Sequence, residues 1–90
     1  MLYLYGVNFM QQYTYKTTGT CSKEIIFEVE DGIIRSVKFV GGCPGNTQGV
    51  AILCKDRPVN EVISLLEGIK CGPRPTSCPD QLAKALKEAL

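Results

Sequence analysis

At 90 residues the chain has room for one domain with a modest core. Its 10 basic and 9 acidic residues leave a net charge of +1, which gives no electrostatic footprint for nucleic acid or an anionic membrane. It has no histidine, so imidazole acid–base chemistry is excluded, and it has no tryptophan.

The first nine residues, "MLYLYGVNF", are uncharged. They lack the basic region and cleavage site of a secretory signal and are too short to span a bilayer. "MQQYTYKTTGTC" then reads as a beginning of its own, with Met10 as an alternative start. Residues 1–11 are therefore expected to be an N-terminal extension or extra edge strand, and residues 12–90 a single domain. No partner membrane is implied, and a cytoplasmic location is expected.

Tyr13, Tyr15 and Thr17 alternate with Thr14, Lys16 and Thr18, the pattern of a half-exposed strand. After "TGTCS" a second strand follows, with Ile25, Phe27 and Val29 on one face and Ile26, Glu28 and Glu30 on the other. Asp31-Gly32 predicts a two-residue hairpin, since both positions tolerate positive φ. The third strand places Val37 and Phe39 inward and Ser36 and Lys38 outward. "GGCPGNT" ends the sheet. Asn46 or Thr47 is the expected cap of a helix with Val50, Leu53 and Cys54 on one face. Pro58 opens a second helix with a broad apolar side of Val62, Ile63, Leu65, Leu66 and Ile69, ended by Gly68. "CGPRP" is a rigid loop. In the last helix Ser77 is the N-cap, Asp80 stands at capping-box spacing and Pro79 fits the first turn. Leu82, Ala85, Leu86, Ala89 and Leu90 repeat at helical spacing. The fold class is α+β: a three-stranded antiparallel meander followed by helices packed on one face.

Five cysteines stand at 21, 43, 54, 71 and 78. An odd number fits poorly with a closed disulfide framework, and a cytosolic chain keeps its thiols reduced. Cys54 falls mid-helix on the apolar stripe and is assigned to the core. The other four sit in loops or at helix starts. Cys78 lies in the first turn of the last helix, where dipole and free N–H groups favour a thiolate. Cys43 lies in a glycine-rich loop before a helix, Cys21 at the break between two strands, and Cys71 just before Gly72-Pro73. With no imidazole present, a soft site built here is all thiolate, or three thiolates plus an oxygen or guest ligand. "GGCPGNTQG" lacks the Lys-Ser/Thr ending of a P-loop, which leaves anion binding at the next helix start as a weaker alternative.

The motifs "TCSKEI", "DGII", "GGCPGN", "GIKCG" and "TSCPDQLAKAL" stand here in one order. From about Gln12 to Leu90 the chain resembles the small bacterial family named for its TSCPD motif, here Thr76 to Asp80. Related domains lie at the C-terminal end of vitamin-B12-dependent ribonucleotide reductases. The resemblance implies a link to deoxyribonucleotide synthesis, with the reductase as partner, and the module would bind that enzyme, its nucleotides or its redox supply. Reduction itself needs a radical-generating barrel that 90 residues cannot build, so catalysis by this chain alone is not expected.

The order of strands, cysteines and helices is also similar to that of the iron–sulfur cluster assembly scaffolds of the NifU-like type. That similarity implies three ligands, at Cys21, Cys43 and Cys78, and an iron–sulfur donor or acceptor protein as partner. Lys23 stands where the scaffolds have an aspartate, Ser77 where they have a histidine, and "GPRP" in the region of their Leu-Pro-Pro stretch. Cys71 is the candidate fourth ligand. Three readings follow: a zinc or iron–sulfur module on Cys21, Cys43, Cys71 and Cys78; a reductase accessory; and a thiol redox protein cycling Cys71 with Cys78.

Overall fold

A computed structural model describes residues 10–20, 22–42 and 44–89. The reading of residues 1–9 as an extension or edge strand falls outside the described residues. Three strands, β1 (Gln11–Lys16), β2 (Ser22–Glu30) and β3 (Ile33–Gly41), form an antiparallel sheet in the order β1-β2-β3. Three helices follow: α1 (Pro44–Cys54), α2 (Val59–Leu66) and α3 (Cys78–Ala89). The α+β meander read from the sequence is the fold.

Pairing places Tyr13 opposite Phe27 and Tyr15 opposite Ile25, so the apolar positions of both strands share one face. The Tyr13 and Phe27 rings stack, with centroids 5.2 Å apart. Asp31 and Gly32 both take positive φ, 52° and 75°, in the hairpin that joins β2 to β3.

Two bulges decide which side chains point inward. Glu28 pairs with Ser36 but Val29 pairs with Ile34, so Arg35 is an extra residue on β3. Strict alternation would put Ile34 on the face of Ser36 and Lys38. The bulge turns Ile34 into the core, where it is fully buried, alongside Val37 and Phe39. Arg35 is left to bridge Glu30 and Asp56 at 3.1 and 2.9 Å. At the other end Glu24 pairs with Val40 but Ser22 pairs with Gly41, so Lys23 is the extra residue. Lys23 is exposed and Ser22 is buried, the reverse of what alternation from Ile25 and Phe27 requires.

The core joins Ile25, Phe27 and Ile34 of the sheet to Cys54, Val59, Val62, Leu82, Ala85 and Leu86 of the helices. Residues 56–59 run along the hairpin end of β3: Asp56 N–H and Val59 N–H donate to the carbonyls of Ile34 and Gly32, and Ile34 N–H donates to that of Arg57. This covers part of an edge that would otherwise be open to another chain.

Three helix expectations need correction. Helix α1 begins at Pro44, so Asn46 and Thr47 lie within its first turn, and Thr47 is buried there. Leu53 and Leu65 are exposed at 68% and 63%: α1 packs on β3 and α2 on α3, and neither contact covers these side chains. Helix α2 ends at Leu66, and Ile69 lies beyond it, after Gly68 at φ 88°. Cys54 is in the core, as expected of it.

Candidate functional site

The first turn of α3 is buried from Thr76 to Ala83, although four of those residues, Thr76, Ser77, Asp80 and Gln81, are polar. Each buried polar group has a partner, as burial demands. Ser77 is the N-cap: its Oγ accepts the N–H of Asp80 at 3.1 Å and donates to the Ile69 carbonyl at 2.7 Å. The capping box is only half made. Asp80 does not serve Ser77; its carboxylate accepts from Gly68 N–H at 2.7 Å, Thr76 Oγ1 at 2.5 Å and Lys84 Nζ at 2.9 Å. Burial alone would push this carboxyl up, but those hydrogen bonds and the Lys84 charge outweigh it and hold it below the ordinary aspartate range. Gln81 uses both ends of its amide, accepting from Thr18 N–H at 3.1 Å and donating to Thr76 Oγ1 at 3.0 Å.

This network fixes Cys78 at the first helical position with its thiol 4% exposed. The sulfur lies 3.1 Å from Thr20 Oγ1 and 3.3 Å from Ser22 Oγ. The bulge at Lys23 is what turns Ser22 inward to meet it. Thr17 closes the same turn, its hydroxyl donating to the Ser22 carbonyl at 2.5 Å. Gly19 takes φ 73°, and a Cβ there would stand 3.0 Å from Thr76 Cγ2. Gly42, also at positive φ, lies so close to Ser22 that a Cβ would meet its Cβ at 3.3 Å. Three separate segments therefore meet at one point: Thr17 to Thr20 with Ser22, Gly42 just after β3, and the start of α3.

The sequence-predicted ligands fall out as follows. Cys78 is at the centre of this meeting point. Cys21 and Cys43 lie outside the described residues, but the described neighbours Thr20, Ser22 and Gly42 are part of the cluster. Cys71 is exposed, in a turn closed by its own N–H on the Thr76 carbonyl at 3.2 Å and by Arg74 N–H on the Cys71 carbonyl at 3.0 Å. Among the described residues no three His, Cys, Asp or Glu side chains form a metal-holding group. Sequence reasoning missed Thr20, Ser22 and Gln81. The hydroxyls flanking Cys21 in "TCS" were a visible signal; the role of Gln81 depends on a partner 63 residues away and had none.

The TSCPD domain family matches residues 10–90, nearly the whole chain. The chain belongs to that family. TSCPD domains are associated with ribonucleotide reductases, and this sets the functional context of the chain. No curated protein and no solved structure matches it. The similarity to iron–sulfur scaffolds thus stands on motif order alone. Among the described residues of this TSCPD domain no helix is long and apolar enough to cross a membrane.

Proposed function

We propose that this TSCPD domain is a thiolate metal-binding module that serves a ribonucleotide reductase, with Cys78, Cys21 and Cys43 as ligands and Cys71 as the fourth. The observation that carries the reading is the contact of the Cys78 sulfur with Thr20 and Ser22. Each of these is joined to Cys21 by one peptide bond, and Gly42, joined to Cys43, packs on Ser22. Chain connectivity thus tethers two further thiols to the segments that meet at Cys78.

The chemistry of the donor set fits a soft ion. Without histidine it offers sulfur, which suits zinc or an iron–sulfur cluster rather than magnesium or calcium. Two hydroxyls and a helix N-terminus stand beside the Cys78 sulfur, an environment with polar partners for a ligating sulfur. Zinc held by four sulfurs would act as a staple between the sheet and α3. The exposure of Cys71 supports the second reading, an iron–sulfur site with one open side for a donor or acceptor protein. In either case the chain's own contribution is to hold the ligands and exclude water on the Cys78 side.

The test is elemental analysis of untagged protein purified anaerobically. About one equivalent of zinc, or iron with acid-labile sulfide, is expected, retained in Cys54→Ser and lost in Cys78→Ser. Less than about half an equivalent in the wild type, with every thiol titratable, overturns the proposal. Co-purification with a reductase tests the partner separately.

A further inference from the structure

We infer that the free edge of β3, with α1 beneath it, is a docking groove for an acidic segment of another protein, bound in extended form as an added strand. None of the candidate metal ligands takes part. Among the described residues β3 is the last strand of the sheet, with β2 on one side only. On its other side alternate residues turn N–H and C=O groups away from β2. Near the hairpin these groups are taken up at Ile34 by Asp56 and Arg57. From Ser36 to Val40 the backbone makes no bond outside the β2 ladder among the described residues. That free stretch is about 17 Å long, at roughly 3.4 Å per residue.

Two open pockets of about 210 and 230 Å³ lie along this stretch and share Val37 and Ala51. Each is bordered by consecutive strand residues, Arg35 to Val37 in one and Val37 to Phe39 in the other. Consecutive residues point to opposite faces of a sheet, so the groove is bordered by the edge of β3 rather than by one face. Helix α1 forms the floor, through Gln48, Ala51, Ile52 and Lys55. Ile52 is 73% exposed, and a strand added to β3 would lie over it. Charge selects the occupant. Lys38 and Lys55 are both exposed, and among the described residues neither has a carboxylate partner. No acidic side chain lines either pocket. Glu30 and Asp56 are committed to Arg35, and Glu28 accepts from the Ser36 hydroxyl. A second copy pairing through its own β3 would set these lysines against their equivalents, which disfavours self-association. A strand with apolar residues at alternate positions covers Ile52, and with carboxylates at the others it meets Lys38 as a cross-strand neighbour.

The test titrates the full chain with a capped peptide that alternates glutamate with valine, read by backbone amide shifts and by fluorescence anisotropy. Shifts are expected in Ser36 to Val40 and in Gln48 to Lys55. A lysine–valine peptide is expected to bind about 10-fold more weakly, and the double variant Lys38→Glu, Lys55→Glu to reverse that order. Methyl groups on alternate peptide nitrogens separate strand addition from adsorption by charge. On one alternate set they remove the N–H groups that face β3, and affinity should fall by about 10-fold or more; on the other set it should stay within about threefold. If both methylated sets bind like the parent peptide, charge alone makes the contact and the inference is overturned. No binding of the glutamate–valine peptide up to about millimolar concentration, or shifts confined to other segments, also overturns it. So does a protein that is dimeric in light scattering and monomeric as Ile52→Asp, because a second copy then holds the groove. None of these outcomes depends on metal content, so the metal-binding reading stands or falls separately.

Discussion

Asp80→Ala should be among the most damaging single changes in this chain. The carboxylate is 3% exposed and accepts from three donors. Thr76 is itself 5% exposed, so its hydroxyl would be left buried without an acceptor, at a cost of about 2 kcal/mol. Gly68 is exposed, and water can take over its N–H, so that bond is worth about 1 kcal/mol. Lys84 is half exposed and contributes about 0.5 kcal/mol at most. The expected loss is about 3 kcal/mol. Asp80→Asn keeps an acceptor for Gly68 and should lose about 2 kcal/mol. Urea unfolding of metal-free protein reads both, which removes any contribution from bound metal. Acid supplies an independent check. The folded carboxyl is held below its ordinary value of 3.8, so the stabilisation is complete above that pH and is lost as pH falls through the lower folded value. The stability gap between wild type and Asp80→Asn should therefore be flat at neutral pH and close in acid. A loss below about 1 kcal/mol in Asp80→Ala, or a gap that persists in acid, would refute the reasoning.

Gly19→Ala combines a left-handed φ with a 3.0 Å approach to Thr76 and should lower stability by about 1–2 kcal/mol, seen as a drop of roughly 4–8 °C per kcal/mol in a thermal melt. Ser77→Ala removes the cap of α3 and the bond to Ile69, with an expected loss of about 1–2 kcal/mol in urea. In metal-free native protein Cys71 should react with a thiol reagent well before Cys54. Cys54 is buried and its thiol is pushed up by that burial against the opposing charge of Arg57. Labelling of Cys54 ahead of Cys71 would show that the packing around it is wrong.

What the sequence revealed followed from local rules. Asp31-Gly32 announces its hairpin because positive φ is a property of those two residues, and Ile25 and Phe27 declare a face because alternation needs no partner. The cap at Ser77 and the stripe of Leu82, Ala85 and Leu86 are likewise local, and both are in place. The bulges at Lys23 and Arg35 were not legible, since an extra residue is defined only against the strand opposite. The inward turn of Ser22 was missed for that reason, and with it one of the two hydroxyls beside the Cys78 sulfur. Leu53 and Leu65 misled because apolarity shows what can be buried, not whether a neighbouring element lies against it. Asp80 was placed by spacing in a capping box, whereas Gly68 from the preceding loop and the local partners Thr76 and Lys84 took its carboxylate.

The fold accounts for most of the TSCPD stretch but not for its sulfur. Thr76 bridges Asp80 and Gln81, Ser77 caps the helix, Pro79 occupies a first-turn position that needs no N–H, and Asp80 ties down the preceding loop. Each has a structural task that its chemistry suits. At 78 the side chain is small, buried and faced by two hydroxyls. A serine would make stronger bonds to both, because a thiol is a weak donor and its sulfur a weak acceptor. A purely apolar residue would suit burial but not those neighbours. Sulfur is therefore the poorer hydrogen-bonding choice beside those two hydroxyls. That asymmetry separates Cys78 from Cys54, where burial among Val62, Leu66 and their neighbours is sufficient explanation.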